Sequence, residues 1–124
     1  MKEQVIEELV KSAEKNGLIP TLYAVFGNSV KVSIPFSRKT LDCEVDELDF
    51  SVRSSNALKR TGLMKVDDVV DAIADERLLH VRNLGKKSYN EIQTKILTLG
   101  YAKLTENEKK RFFYDVLAQN GYAG

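Results

Sequence analysis

Residues 81–92 read "VRNLGKKSYNEI", placing a glycine, two adjacent lysines and a helix-starting pattern side by side. A glycine just ahead of a helix lets the backbone approach a ligand, and the helix's first turn offers N–H groups without intrahelical partners at the positive end of its dipole. Lys86 and Lys87 oppose that dipole, and a bound anion would remove the cost. The same residues also read as a capped turn, in which Ser88 and Glu91 form an S-x-x-E capping box, the lysines are solvated and Gly85 turns the backbone. On this stretch alone both readings stand, because short motifs often match without function.

The surrounding sequence predicts a mainly α protein. Residues 86–101, "KKSYNEIQTKILTLGY", give a helix apolar at Tyr89, Ile92, Ile96, Leu97 and Leu99 and ending at Gly100. Ahead of it, "VDDVVDAIADERLLHVRN" (66–83) reads as two short helices, with Asp67 as the cap and Val69, Val70, Ile73, Leu78 and Leu79 as core. "SVRSSNALKRTG" (51–62) is a helix that Ser51 can cap and Gly62 closes. Residues 51–100 therefore form a bundle of four helices.

Residues 37–50, "SRKTLDCEVDELDF", are polar and read as a connection. In residues 18–36, "LIPTLYAVFGNSVKVSIPF", the alternation at Val30, Val32, Ile34 and Phe36 with the Gly27-Asn28 turn predicts a β-hairpin. The opening "KEQVIEELVKSAEKNG" is an amphipathic helix, with Val5, Ile6, Leu9, Val10 and Ala13 at helical spacing. At the other end, Thr105 and Glu108 form a capping box before a helix with an apolar stripe of Phe112, Phe113, Val116 and Leu117. The expected division is 1–42, a helix plus hairpin; 43–102, the bundle; and 103–124, a helix packing on the core.

Composition narrows the function. The protein has 124 residues, 43% hydrophobic and 30% charged, with one cysteine and one histidine. Cys43 and His80 supply neither a disulfide nor a Cys/His metal cluster, and no nucleophile–base set stands out, so no catalytic residue, metal or cofactor is expected. The Gly85-Lys86-Lys87-Ser88 run lacks the G-x-x-x-x-G-K-[ST] spacing of a nucleotide loop. No apolar run approaches a membrane span and the start is too charged for a signal peptide, so a cytoplasmic protein without membrane partners is expected. The net charge of +1 is spread evenly, at 6 basic and 5 acidic residues in 1–42, 9 and 10 in 43–102, and 4 and 3 in 103–124. Any nucleic-acid contact must then use a small positive face.

A second motif gives that face a partner. On the helix of residues 51–60, Arg53, Asn56 and Arg60 stand at i, i+3 and i+7, a stripe that is either a solvated face or one suited to phosphates and base edges. The stretch 45–101, with "SVRSSNALK" near its start and "NLGKKS..EI" near its end, resembles the C-terminal domain of the bacterial RNA polymerase alpha subunit. The resemblance implies a compact helical fold whose closing half is related to helix-hairpin-helix modules. It implies binding in the minor groove of A·T-rich double-stranded DNA through Arg53, Asn56, Asn83, Gly85, Lys87, Ser88 and Glu91, with Lys86 in the motif. Arg53 would enter the narrow groove, Asn56 and Asn83 would donate to groove edges or sugars, and Gly85, Lys87 and Ser88 would hold a phosphate. Glu91 would orient Arg53 or Lys87, or close the box with Ser88.

The resemblance also implies that Asp46, Glu47 and Asp49 face a basic surface of sigma factor, although solvent-exposed linker charges would look the same. The activator-contacting surface falls near Asp75, Glu76 and Arg77, where this protein differs in length by one residue. Because the matched stretch has a short helix-and-hairpin unit before it and an extra helix after it, the expectation is a stand-alone DNA-binding protein of transcription or its regulation. The other readings are a module that docks on sigma factor, a regulator or RNA polymerase without touching DNA, and a DNA-anchoring accessory of repair or recombination.

Overall fold

The computed structural model describes residues 2–27, 30, 32, 34, 36–81 and 84–122. They form helices α1 (Lys2–Asn16), α2 (Leu18–Phe26), α3 (Arg38–Leu41), α4 (Val52–Arg60), α5 (Val66–Ala74), α6 (Gly85–Ala102) and α7 (Glu106–Gln119), with 3-10 turns at Val45–Glu47 and Arg77–His80. The protein divides into two units with separate cores, one of Met1–Pro35 with Tyr101–Gly124 and one of Phe36–Gly100.

In the first unit, α1 buries Ile6, Leu9, Val10 and Ala13, the face expected from its spacing, and leaves Val5 exposed. Gly17, at φ 95°, is the single residue between α1 and α2. Thr21 ties the pair together: its buried hydroxyl donates to the Gly17 carbonyl (2.9 Å) and lies 2.8 Å from Ser12 Oγ. The α7 helix begins as expected, with Glu108 accepting the Thr105 N–H (2.8 Å) and Thr105 Oγ1 accepting the Glu108 N–H (3.2 Å). Its stripe of Phe112, Phe113, Val116 and Leu117 is buried, and both phenylalanines meet Tyr101 edge-on at 5.4 and 5.8 Å.

The expected hairpin is corrected here. Residues 18–26 are helical, with Leu18, Thr21 and Leu22 buried at helical spacing. Gly27 (φ 82°) ends that helix by donating its N–H to the Tyr23 carbonyl (3.0 Å). An uncharged apolar run of this length fits a buried helix turn as well as a strand, and packing against α1 decides for the helix. Val30, Val32 and Ile34 are half-buried against this core without strand pairing; Asn28, Ser29, Lys31, Ser33 and Pro35 lie outside the described residues.

In the second unit, residues 37–50 are more than a connection. Ser37 Oγ accepts the Thr40 N–H (3.2 Å) and starts α3. Backbone bonds Val45 N–H to Met64 O (2.8 Å) and Val66 N–H to Cys43 O (2.9 Å) then join the segment before α4 to the segment before α5. Val45, Leu58, Val66, Val69, Leu78, Ile92 and Ile96 form the core. The α5 cap is Asp68, which accepts the N–H groups of Met64 (3.3 Å) and Lys65 (3.1 Å), rather than Asp67, which pairs with Arg38 at 2.8 Å. The α6 helix passes its expected end at Gly100, which is buried, and reaches Ala102. The sequence boundary at 42/43 falls inside this unit, and the residues after Gly100 belong to the other one.

Candidate nucleic-acid interface

The second unit presents two helix beginnings that carry the cations singled out in the sequence. Ser51 caps α4, its Oγ accepting the Ser54 N–H at 3.2 Å. With Ser54, Ala57 and Leu58 buried on one side, Arg53, Asn56 and Arg60 are left exposed along the other. Arg53 thus stands in the first turn of its helix, where a cation is disfavoured by the dipole.

The start of α6 is pinned by Leu84, which is buried against the core. Gly85 follows at φ 74°, a conformation an L side chain strains to adopt, and a Cβ there would meet nothing within 4 Å. The backbone at Gly85 is therefore open to an approaching group, flanked by exposed Lys86 and Lys87 and by first-turn N–H groups lacking intrahelical acceptors. Asn83 lies outside the described residues.

Ser88 and Glu91 do not form the expected capping box. The helix begins three residues before Ser88, which is buried within the first turn, while Glu91 faces the other helix. Glu91 Oε1 accepts the N–H of Ser51 (3.2 Å) and its hydroxyl (3.0 Å). The Ser54 hydroxyl, the Ser51 groups and the Lys95 ammonium together hold the Glu91 carboxyl below the usual carboxylate range, outweighing partial burial. This link brings the two motifs together, and the sequence shows no sign of it: Ser54 is an inconspicuous helix serine and Ser51 lies 40 positions from its partner.

The acidic stretch is split by its surroundings. Asp46 pairs with Lys59 (3.0 Å), while Glu47 and Asp49 are exposed on either side of half-buried Leu48, between buried Val45 and half-buried Phe50. Asp75 accepts the Arg77 N–H (3.1 Å) and Nε–H (2.7 Å); that N–H above all holds its carboxyl below the usual range. Glu76 between them adopts φ 65°. Among the described residues, no group of three or more His, Cys, Asp or Glu is placed to hold a metal, and no helix is long and apolar enough to cross a membrane.

Residues 33–98 match the family model for the C-terminal domain of the alpha subunit of bacterial RNA polymerase. The protein is 49% identical over 69 residues to the DNA-directed RNA polymerase subunit alpha of Clostridium beijerinckii, a match that takes in 55% of this sequence and 22% of that one. It is 46% identical over 70 residues to the corresponding subunit of Clostridium kluyveri, taking in 56% and 22%. It thus spans about a fifth of the length of these relatives. No solved structure matches. Helices α1, α2 and α7 lie outside the matched residues.

Proposed function

Because the protein belongs to the family of C-terminal domains of the bacterial RNA polymerase alpha subunit, we propose that its second unit is a non-catalytic DNA-binding module of transcription in the cytoplasm. It grips A·T-rich duplex through the minor groove and backbone. The observation that carries this reading is the convergence of two electropositive helix beginnings, joined by Glu91 and Ser51, with Arg53 and Asn56 on one and Gly85, Lys86 and Lys87 on the other. Arg53 enters the narrow minor groove, where the negative potential is enhanced, and Asn56 and Asn83 meet groove edges or sugars. A phosphate lies at Gly85, against Lys87 and the unpaired N–H groups of the first turn.

With few phosphate contacts, affinity is modest and its salt dependence shallow, each contact adding about 0.9 to the slope of log affinity against log salt. Arg53→Ala is expected to remove most binding to an A·T-rich duplex in fluorescence anisotropy at fixed low salt. Unchanged binding in that variant would sink the reading.

A second reading draws on the exposed carboxylates of Glu47 and Asp49 beside the paired Asp46. This edge docks on a basic surface of sigma factor, a regulator or RNA polymerase. A sigma pull-down that survives Arg53→Ala and fails when Asp46, Glu47 and Asp49 are neutralised selects docking over DNA.

A further inference from the structure

Glu91 projects from the second turn of α6 and reaches the beginning of α4. Its Oε1 accepts the Ser51 N–H at 3.2 Å and the Ser51 hydroxyl at 3.0 Å. Ser51 Oγ accepts the Ser54 N–H at 3.2 Å and lies 3.2 Å from Ser54 Oγ, and Ser54 is fully buried. These bonds make a continuous polar clasp from one helix to the first turn of the other. The carboxylate also sits where it offsets Arg53 against the α4 dipole. On the far side, Lys95, one turn beyond Glu91, holds its ammonium 5.7 Å from the ring centroid of Phe50, the residue before Ser51.

We infer that Glu91 is a positioning residue for DNA rather than a contact to it: by holding Ser51 and Ser54, it sets where α4 presents Arg53 and Asn56 relative to Gly85 and Lys87 on α6. The inference rests on the DNA-binding reading of the second unit. A carboxylate beside a phosphate is repelled, and this one is already engaged by Ser51 donors. A grip built from two helices also depends on their separation, because displacement of about an ångström at one half costs the contacts of the other.

The test uses the full-length protein with Glu91→Ala, Ser51→Ala, their double variant and Glu91→Gln, each well below its melting temperature. Binding to an A·T-rich duplex is measured across a salt series, and amide hydrogen exchange is followed at Ser51 and Ser54. Glu91→Ala and Ser51→Ala are each expected to weaken binding about tenfold, the double variant no more than the worse single, since both break one clasp. Glu91→Gln, which keeps an acceptor, recovers most of the loss. The salt slope stays unchanged because no phosphate contact is removed, and the two amides exchange faster in the alanine variants.

Additive losses, or a Glu91→Ala protein that binds more tightly with a steeper slope, overturn the positioning role while leaving the DNA reading intact. Failure of the unaltered protein to bind the duplex at low salt overturns both, and the exchange data then show whether the clasp itself exists.

Discussion

The Tyr101 hydroxyl is buried among Phe112, Phe113 and their neighbours with no hydrogen-bond partner among the described residues. A buried donor left unmade costs about 1–3 kcal/mol, so Tyr101→Phe is expected to stabilise the first unit by about 1 kcal/mol, seen as a rise of a few degrees in melting temperature. The pH dependence carries the same signature. Burial, then the charges of Glu14 and Glu106, push this phenol up to about 12. An unfolded tyrosine ionises near 10, so stability present below pH 10 is lost as pH rises toward 12. Tyr101→Phe is expected to lack that loss in thermal melts taken across this range. At this scale the sequence was informative about type and silent about partner: Arg53, Asn56, Lys86 and Lys87 are exposed cations and amides as expected, whereas the roles of Ser54, Asp68 and Glu91 depend on who stands opposite.

At the scale of the element, two helices carry charges that work against them. Lys86 and Lys87 occupy the first turn of α6, where anions rather than cations are favoured by about 0.3–1 kcal/mol each. Lys86→Glu with Lys87→Glu is therefore expected to raise the melting temperature while abolishing duplex binding at low salt. Stability and binding moving the same way would show that the lysines are ordinary surface charges. The Glu91 cap on α4 has its own pH window. Its carboxyl is held below the ordinary value of 4.5, so the stability it contributes is present above about pH 4.5 and lost as pH falls below it. A series of melts from pH 7 to 3 is expected to show that Glu91→Gln loses less stability over this drop than the unaltered protein. Element types followed from periodicity in α1, α4 and α7, where a polar face runs over two or more turns. The spacing failed at α2, whose residues "LIPTLYAVF" carry no charge to mark a solvent side.

For the whole molecule, two cores mean two places to unfold. Phe113 is completely buried in the first, and Phe113→Ala is expected to cost about 3–5 kcal/mol there by leaving a cavity. Hydrogen exchange should then show protection lost across α1, α2 and α7 and kept in α4 and α5, because among the described residues no buried side chain belongs to both cores. Uniform loss over all five helices would mean that the units unfold as one.

Short-range chemistry was settled by the sequence itself: the amphipathic faces of α1 and α7, the Thr105–Glu108 box and the glycine opening of α6. These need only neighbours three or four residues away, and spacing encodes such neighbours directly. Tertiary structure alone decided that residues 18–26 are helical, that Asp68 and not Asp67 caps α5, that the last helix shares a core with the first, and that Glu91 leaves Ser88 for Ser51. Each of these turns on a partner distant in sequence or on a choice among neighbours, and a carboxylate or an apolar run with several local options takes the one its surroundings leave open.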